Sequence, residues 1–331
     1  MSQSFDIAVV GAAGLVGEAL LMALDEREFP IGNLHPLAVD AAIGQVVAFR
    51  GRNLRVRAAD AFDFASVKLV FLLEPLPAVQ LARIRDAGCA LVDLSGALSA
   101  KQAPCVVAEV NPQRAEAARW LRSPLPSVVA LASVLGTLRQ VLTLRRVTVT
   151  ACLAVSSHGR EGIEELARQT AQLLNARPLE PQLFDRQIAF NLLARASAEQ
   201  PDGHARDERR LAGELGEVLG EPALPVAVTC VQAPVFFGDS LAVSLLCTEP
   251  VDMPVVLHCL DDAPELERVE QGDYPTAVGD ALGQNLVYVG RVRSGLLDPC
   301  ELNLWIASDN VRKGSALNAV RLGELLLKHT L

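Results

Sequence analysis

Two rhythms of apolar and polar positions follow one another along this chain. In the first third, short apolar runs alternate with stretches of helical spacing: Phe5 to Val10, a helix from Leu15, Leu37 to Val39, Val67 to Leu73, a helix from Ala78, and Ala90 to Asp93. This is the strand, helix, strand order of a parallel sheet with crossover helices. From about Arg145 the runs lengthen and alternate, as in Arg146-Val147-Thr148-Val149-Thr150, Val226 to Val231, Leu241 to Cys247 and Leu286 to Val292. They predict a second, mixed α/β domain whose sheet leaves one face exposed. Between those strands, Ser157 to Leu174 reads as an amphipathic helix, and the polar stretch Ala196 to Glu208, with Pro201-Asp202-Gly203, reads as a mobile loop. At the C-terminus, Leu317, Val320, Leu322, Leu325 and Leu326 fall on one helical face within Val311 to Leu331, which predicts a last helix packed on the first domain. The domains are therefore expected to be 1–125 plus 312–331, and 126–311.

The first strand runs straight into Gly11-x-x-Gly14-x-x-Gly17, and a helical pattern follows at once. Gly11 suits a tight turn, Gly14 leaves backbone amides bare to a diphosphate, and Gly17 lets the helix lie close on the strand. A helix N-terminus then faces the anion. Two readings stand: a nucleotide-binding turn, or a glycine-softened turn of any doubly wound sheet.

Composition narrows the function classes. The chain has 331 residues, half of them apolar, and a formal charge of −9, which opposes a nucleic-acid or anionic-membrane surface. Leu125 to Leu138 is the longest apolar stretch, but Pro126, Ser127, Ser133, Gly136 and Thr137 interrupt it. It is short of the roughly 18 residues a membrane span needs, so it reads as a buried helix. The N-terminus lacks a basic region followed by an apolar block, which predicts a cytoplasmic protein. Seven cysteines without a CxxC pair and five histidines without ligand spacing predict reduced thiols and no metal. So few aromatic residues in so apolar a chain suit burial between subunits or a large monomeric core.

Several segments then fall into one order: Gly11 to Gly17, Val107-Ala108-Glu109-Val110-Asn111-Pro112, Ala154-Val155-Ser156 leading to Gly159, Pro234-Val235-Phe236-Phe237-Gly238, and Ser308-Asp309-Asn310-Val311-Arg312-Lys313-Gly314 with Leu317-Asn318-Ala319. Together they resemble the aspartate-semialdehyde dehydrogenase family, and within it the Usg-type homologues. The resemblance implies a Rossmann-type parallel-sheet NAD(P)-binding domain, a second α/β domain of catalytic and dimerising type, and a homodimer. It further implies NADP or NAD as cofactor, held by Gly11, Ala13, Gly14, Leu15, Val16 and Asn310. The family reaction makes an acyl phosphate from an aldehyde and phosphate, through a cysteine thiolate at a helix N-terminus.

The chain departs from that pattern where the chemistry lies. The nucleophile's position is Pro126, in Ser123-Pro124-Leu125-Pro126-Ser127. Proline cannot attack a carbonyl, yet it suits the first turn of a helix. The family's base, a histidine, corresponds to Asp239, and its two anion-gripping arginines correspond to Gln232 and Ser99. Loss of two guanidiniums removes bidentate anchors for carboxylate and phosphate. The glutamine beside the thiolate corresponds to Cys152, which is either a substitute nucleophile assisted by Asp239 or His158, or a thiol filling a vacated pocket. Asp207-x-x-Arg210 stands for the family's substrate-binding Glu-x-x-Lys, or is a solvated charged face. Asp40, in Val39-Asp40-Ala41-Ala42, either accepts from a ribose hydroxyl, favouring NAD, or ends a strand, and no cation there awaits an NADP phosphate. Three functions follow: a family-fold protein that acts by binding, an enzyme with relocated chemistry, and a retained dehydrogenase.

Overall fold

The computed structural model describes residues 4–39 and 41–329. The chain divides into two compact units, Met1–Pro124 with Ser315–Leu331, and Leu125–Gly314.

In the first unit, β1 (Phe5–Val10) leads into α1 (Leu15–Glu26), followed by β2 (Ile31–Ala38), the hairpin β3 (Val46–Phe49) and β4 (Arg52–Arg55), and β5 (Arg57–Ala58). Next come β6 (Leu69–Leu72), α2 (Ala78–Asp86), β7 (Ala90–Asp93) and β8 (Trp120–Arg122). Six strands form one sheet in the order β5-β2-β1-β6-β7-β8, each paired parallel to its neighbours. The chain leaves β1 toward β2 on one side and returns to β6 on the other. The crevice beyond the C-terminal ends of β1 and β6 is thus the place where such a sheet takes ligands.

Strand alternation explains why these runs are wholly apolar. Ile7, Val9, Phe71 and Val92 pack on one face with Leu20 and Leu24 of α1 and with Val320, Leu322 and Leu326 of the C-terminal helix Asn318–His329. Ala8, Val10, Val70, Leu72 and Leu91 pack on the other with Phe64 and Ile84. A strand buried on both faces keeps no polar side.

The second unit contains α3 (Pro126–Leu138), β9 (Leu144–Leu153), α4 (Gly159–Leu174), α5 (Arg206–Leu219), β10 (Val226–Gln232), β11 (Asp239–Cys247), α6 (Met253–Asp261), β12 (Leu266–Arg268), β13 (Val287–Ser294) and β14 (Glu301–Ser308). Its sheet is mixed, in the order β10-β9-β11-β14-β13-β12. On the inner face lie Val147, Val149, Ala151, Leu241, Val243, Leu245, Leu302, Leu304 and Ile306, all buried. Helix α3 is apolar nearly all round because it is enclosed, touching α5, α6 and the strands β11, β13 and β14.

Several boundaries differ from the sequence pattern, and three of them have a plain physical reason or consequence. The strand expected over Leu37–Val39 begins at Ile31, and the pattern misses its start because Gly32, Asn33 and His35 break the apolar run. The polar stretch Ala196–Glu208 is not loop to its end. Arg206, Asp207 and Glu208 form the first turn of α5, where the Glu208 carboxylate accepts the Ala205 N–H at 2.8 Å. Near the C-terminus, Arg312–Leu317 winds in wide π-helical turns and regular helix starts only at Asn318.

Candidate functional site

The glycine turn of the first unit has the geometry its spacing implies. Gly11 sits at φ +86° and donates to Leu37 O at 2.8 Å, and Gly14 donates to Gly11 O at 3.1 Å. A Cβ on Gly17 would lie 2.4 Å from Gly11 O, so α1 can start this close only with glycine there. Ala13, Gly14, Leu15 and Val16 form a half-buried run around the helix N-terminus, where the first amides lack intrahelical acceptors. The backbone therefore fits an anion such as a diphosphate.

The side chain lying on this turn does not. Glu74, just beyond β6, brings its Cγ, Cδ and Oε1 to 2.9, 3.0 and 3.2 Å from the point where a Gly11 Cβ would stand. The sequence pattern does not single out Glu74, because its place beside Gly11 depends on β6 being the parallel neighbour of β1. Asp40 lies outside the described residues. Ser99 is exposed in a turn, its amide and hydroxyl both bonded to Gln102.

Two motif segments prove to be staples of the first unit's backbone. Asn111 accepts the Val107 N–H at 2.9 Å and donates to Cys105 O at 3.0 Å. Asn318 accepts the Ala108 N–H and donates to Ser123 Oγ at 2.8 Å. Both are buried, and their amides satisfy groups that water cannot reach.

In the second unit, Pro126 opens α3. Its preset φ suits the position and its missing N–H had no intrahelical partner. A Cβ on Gly314 would fall 2.6 Å from Pro126 Cβ, so backbone closes over the ring. The preceding amide, Leu125 N–H, is taken by Glu214 Oε2 at 2.7 Å, and Glu214 Oε1 accepts Arg210 Nε at 2.6 Å. Arg210 is thus engaged by its own helix one turn on. Asp207, also expected to grip substrate, has its backbone N–H held by Ser197 Oγ. Glu214 is a second residue that the sequence pattern does not single out, although its i, i+4 spacing from Arg210 marks it as that arginine's partner.

Asp239 starts β11 and is buried at 4% exposure. One oxygen accepts the Ala154 N–H at 3.0 Å. Burial, followed by the nearby negative charge of Asp309, pushes its carboxyl up to about 7, against the pull of that one hydrogen bond. Its strand partner Ser308 buries its hydroxyl oxygen with no hydrogen-bond partner among the described residues. Gln232 is fully buried; its Nε2 donates to Leu153 O at 2.8 Å, and its Oε1 lies 3.0 Å from His158 Nε2. That orientation makes Nε2 the donor of His158, whose ring also stands edge-on to Phe184. Asn310 accepts the Gly238 N–H at 2.9 Å and donates to Ser156 Oγ at 3.0 Å.

Cys152 and Asp239 do not come together. Cys152 is the strand partner of Ser240, and successive residues of a strand face opposite ways. The thiol therefore shares the open face with Thr150 and Ser240, while Leu153, Asp239 and Leu241 face the interior. Burial, then the charge of Asp239, raises the Cys152 thiol above its ordinary range. Two clefts of about 530 and 500 Å³, one around Arg186, Arg195 and Glu199 and the other around Met253, Tyr274 and Arg293, contain none of the predicted site residues. Among the described residues no group of His, Cys, Asp and Glu is placed to hold a metal, and no helix is long and apolar enough to cross a membrane.

Comparison with known proteins matches residues 6–118 to the semialdehyde dehydrogenase NAD binding domain and residues 135–313 to the semialdehyde dehydrogenase dimerisation domain. A USG-1 protein homolog of Pseudomonas aeruginosa is 56% identical over the full length of both chains. Aspartate-semialdehyde dehydrogenase 2 of Vibrio cholerae is 35% identical over 99% of each. The solved structure of a probable aspartate-semialdehyde dehydrogenase from P. aeruginosa superimposes with a TM-score of 0.96 at 55% identity, covering 99% of this chain and 100% of that one.

Proposed function

Because the chain belongs to the semialdehyde dehydrogenase family, with an NAD-binding domain and a dimerisation domain, we propose that it keeps the family framework without the family reaction and acts by binding. Pro126 at the first position of α3, closed over by Gly314, carries this reading. The family places a thiolate there, and removing a nucleophile from a covalent mechanism costs up to about 10⁶ in turnover.

The surroundings agree. A carboxyl pushed up to about 7 by burial replaces the histidine, so Asp239 brings no cation to an anionic substrate. Gln232 spends its amide on Leu153 and His158, and Arg210 spends its Nε on Glu214. Cys152 offers no replacement nucleophile, since its thiol is raised and faces away from Asp239. The motif residues that remain, Asn111, Asn318 and Gly17 among them, hold backbone; the positions that would touch a reacting aldehyde are the altered ones.

As a cytoplasmic homodimer joined through its second unit, the protein would offer the glycine turn and the region around Asp239 to a small molecule or a protein partner. Purified full-length chain is incubated with aspartate semialdehyde, phosphate and NADP, and NADPH formation is followed by absorbance. The expected rate equals the enzyme-free blank. Turnover at the rate of ordinary family members would overturn the proposal.

A further inference from the structure

We propose that Glu74 is a built-in carboxylate on the diphosphate turn, and that it sets the NAD-binding domain against dinucleotides until its charge is removed. The proposal rests on reading the Gly11 turn as the nucleotide site, and goes beyond it by naming the group that controls access.

The placement follows from the sheet. Strands β1 and β6 are parallel neighbours with Val10 opposite Leu72, and Leu73 N–H donates to Val10 O at 3.0 Å. Both strands therefore end at one level, and the second residue past β6 stands beside the first residue past β1. Those residues are Glu74 and Gly11. Lacking a Cβ, Gly11 opens a small volume above the turn, and the Glu74 side chain occupies it, with Oε1 at 3.2 Å from the Cβ point.

The backbone keeps the carboxylate's point of attachment beside the turn. Pro75 and Pro77 follow at once, and Pro77 serves as N-cap of α2 at φ −54°, so two residues of the connection have φ preset. The α1 N-terminus offers partial positive charge to an anion, and Glu74 supplies a negative group in contact with the same turn. Glu18 adds a second carboxylate in the first turn of α1. A diphosphate laid on Gly11 and Gly14 meets like charge at contact range, where such juxtaposition is costly.

Binding of NADPH and NADH to the full-length chain is titrated calorimetrically for wild type, Glu74→Ala, Glu74→Gln and the double variant Glu74→Ala with Gly14→Asp. Removal of the charge is expected to tighten dinucleotide binding by about tenfold or more in both single variants. The double variant should lose that gain, because Gly14→Asp returns negative charge to the turn. Glu74→Gln changes almost no volume, so it reports even where the alanine variant folds poorly. Affinities within twofold of wild type in both single variants overturn the proposal, whether all bind or none does, and so does a gain that survives Gly14→Asp. A Glu74 variant that binds dinucleotide without turnover leaves the proposed loss of chemistry intact. One that turns over aspartate semialdehyde overturns that loss while supporting the role of Glu74.

Discussion

Asp239 links burial to a measurable pH dependence. Its carboxyl is pushed up to about 7 in the folded chain, chiefly by desolvation, against an unperturbed value of 3.8. A raised acid favours its protonated form on folding, so the stability tied to it is complete below about pH 4 and is lost as pH rises through about 7. Between pH 5 and pH 8 the loss is roughly 2–3 kcal/mol. Asp239→Asn keeps a carbonyl oxygen for the Ala154 N–H and cannot ionise. Urea denaturation at both pH values should therefore show the variant's unfolding free energy falling less than wild type's by about 2 kcal/mol. Equal pH dependence in the two proteins would mean that Asp239 ionises in the fold as easily as in the unfolded chain.

At the scale of the element, α3 shows what the sequence disclosed and what it hid. Its buried course was legible because no run of polar residues breaks Val128 to Leu138, and Pro126 marked its first turn. Its N-terminal partner was not, because Glu214 lies 89 residues from Leu125 and only the fold of α5 against α3 brings them together. The same distinction runs through the molecule. Strands buried on both faces, such as Leu69–Leu72, declare themselves as continuous apolar runs, and the glycine turn by its spacing. Glu74 on Gly11, and Cys152 on the face opposite Asp239, depend on which strands are neighbours and which way each residue points. Spacing along the chain carries neither. Glu214→Ala strips the acceptor from Leu125 N–H and the partner from Arg210, both in a largely buried setting, and should cost roughly 2–3 kcal/mol by chemical denaturation. Glu214→Gln retains an acceptor for the amide and should cost less than half as much. A loss under about 0.5 kcal/mol for the alanine variant would show that α3 does not depend on this cap.

For the whole molecule, the open face of the second unit's sheet is the surface on which a prediction about assembly rests. One row across it reads Thr229, Thr150, Ala242 and Trp305, each the register partner of the next. The flanking positions Thr148, Ser244 and Asn303 continue the same surface of small or neutral side chains, with Arg146 and Glu301 toward the strand ends. A broad sheet face of this kind, without a charge at its middle and belonging to a domain matched as a dimerisation domain, suits a second copy related by a two-fold axis. Ala242 lies in that row and is exposed in the single chain, so a larger side chain there disturbs no core. Ala242→Arg would bring a cation into the joined face from each copy, and symmetry offers neither a partner. Light scattering on the eluted peak should give twice 35.3 kDa for wild type and 35.3 kDa for the variant, with the same far-ultraviolet dichroism. A variant that stays dimeric would move the interface off this face, and a monomeric wild type would leave the sheet open in solution.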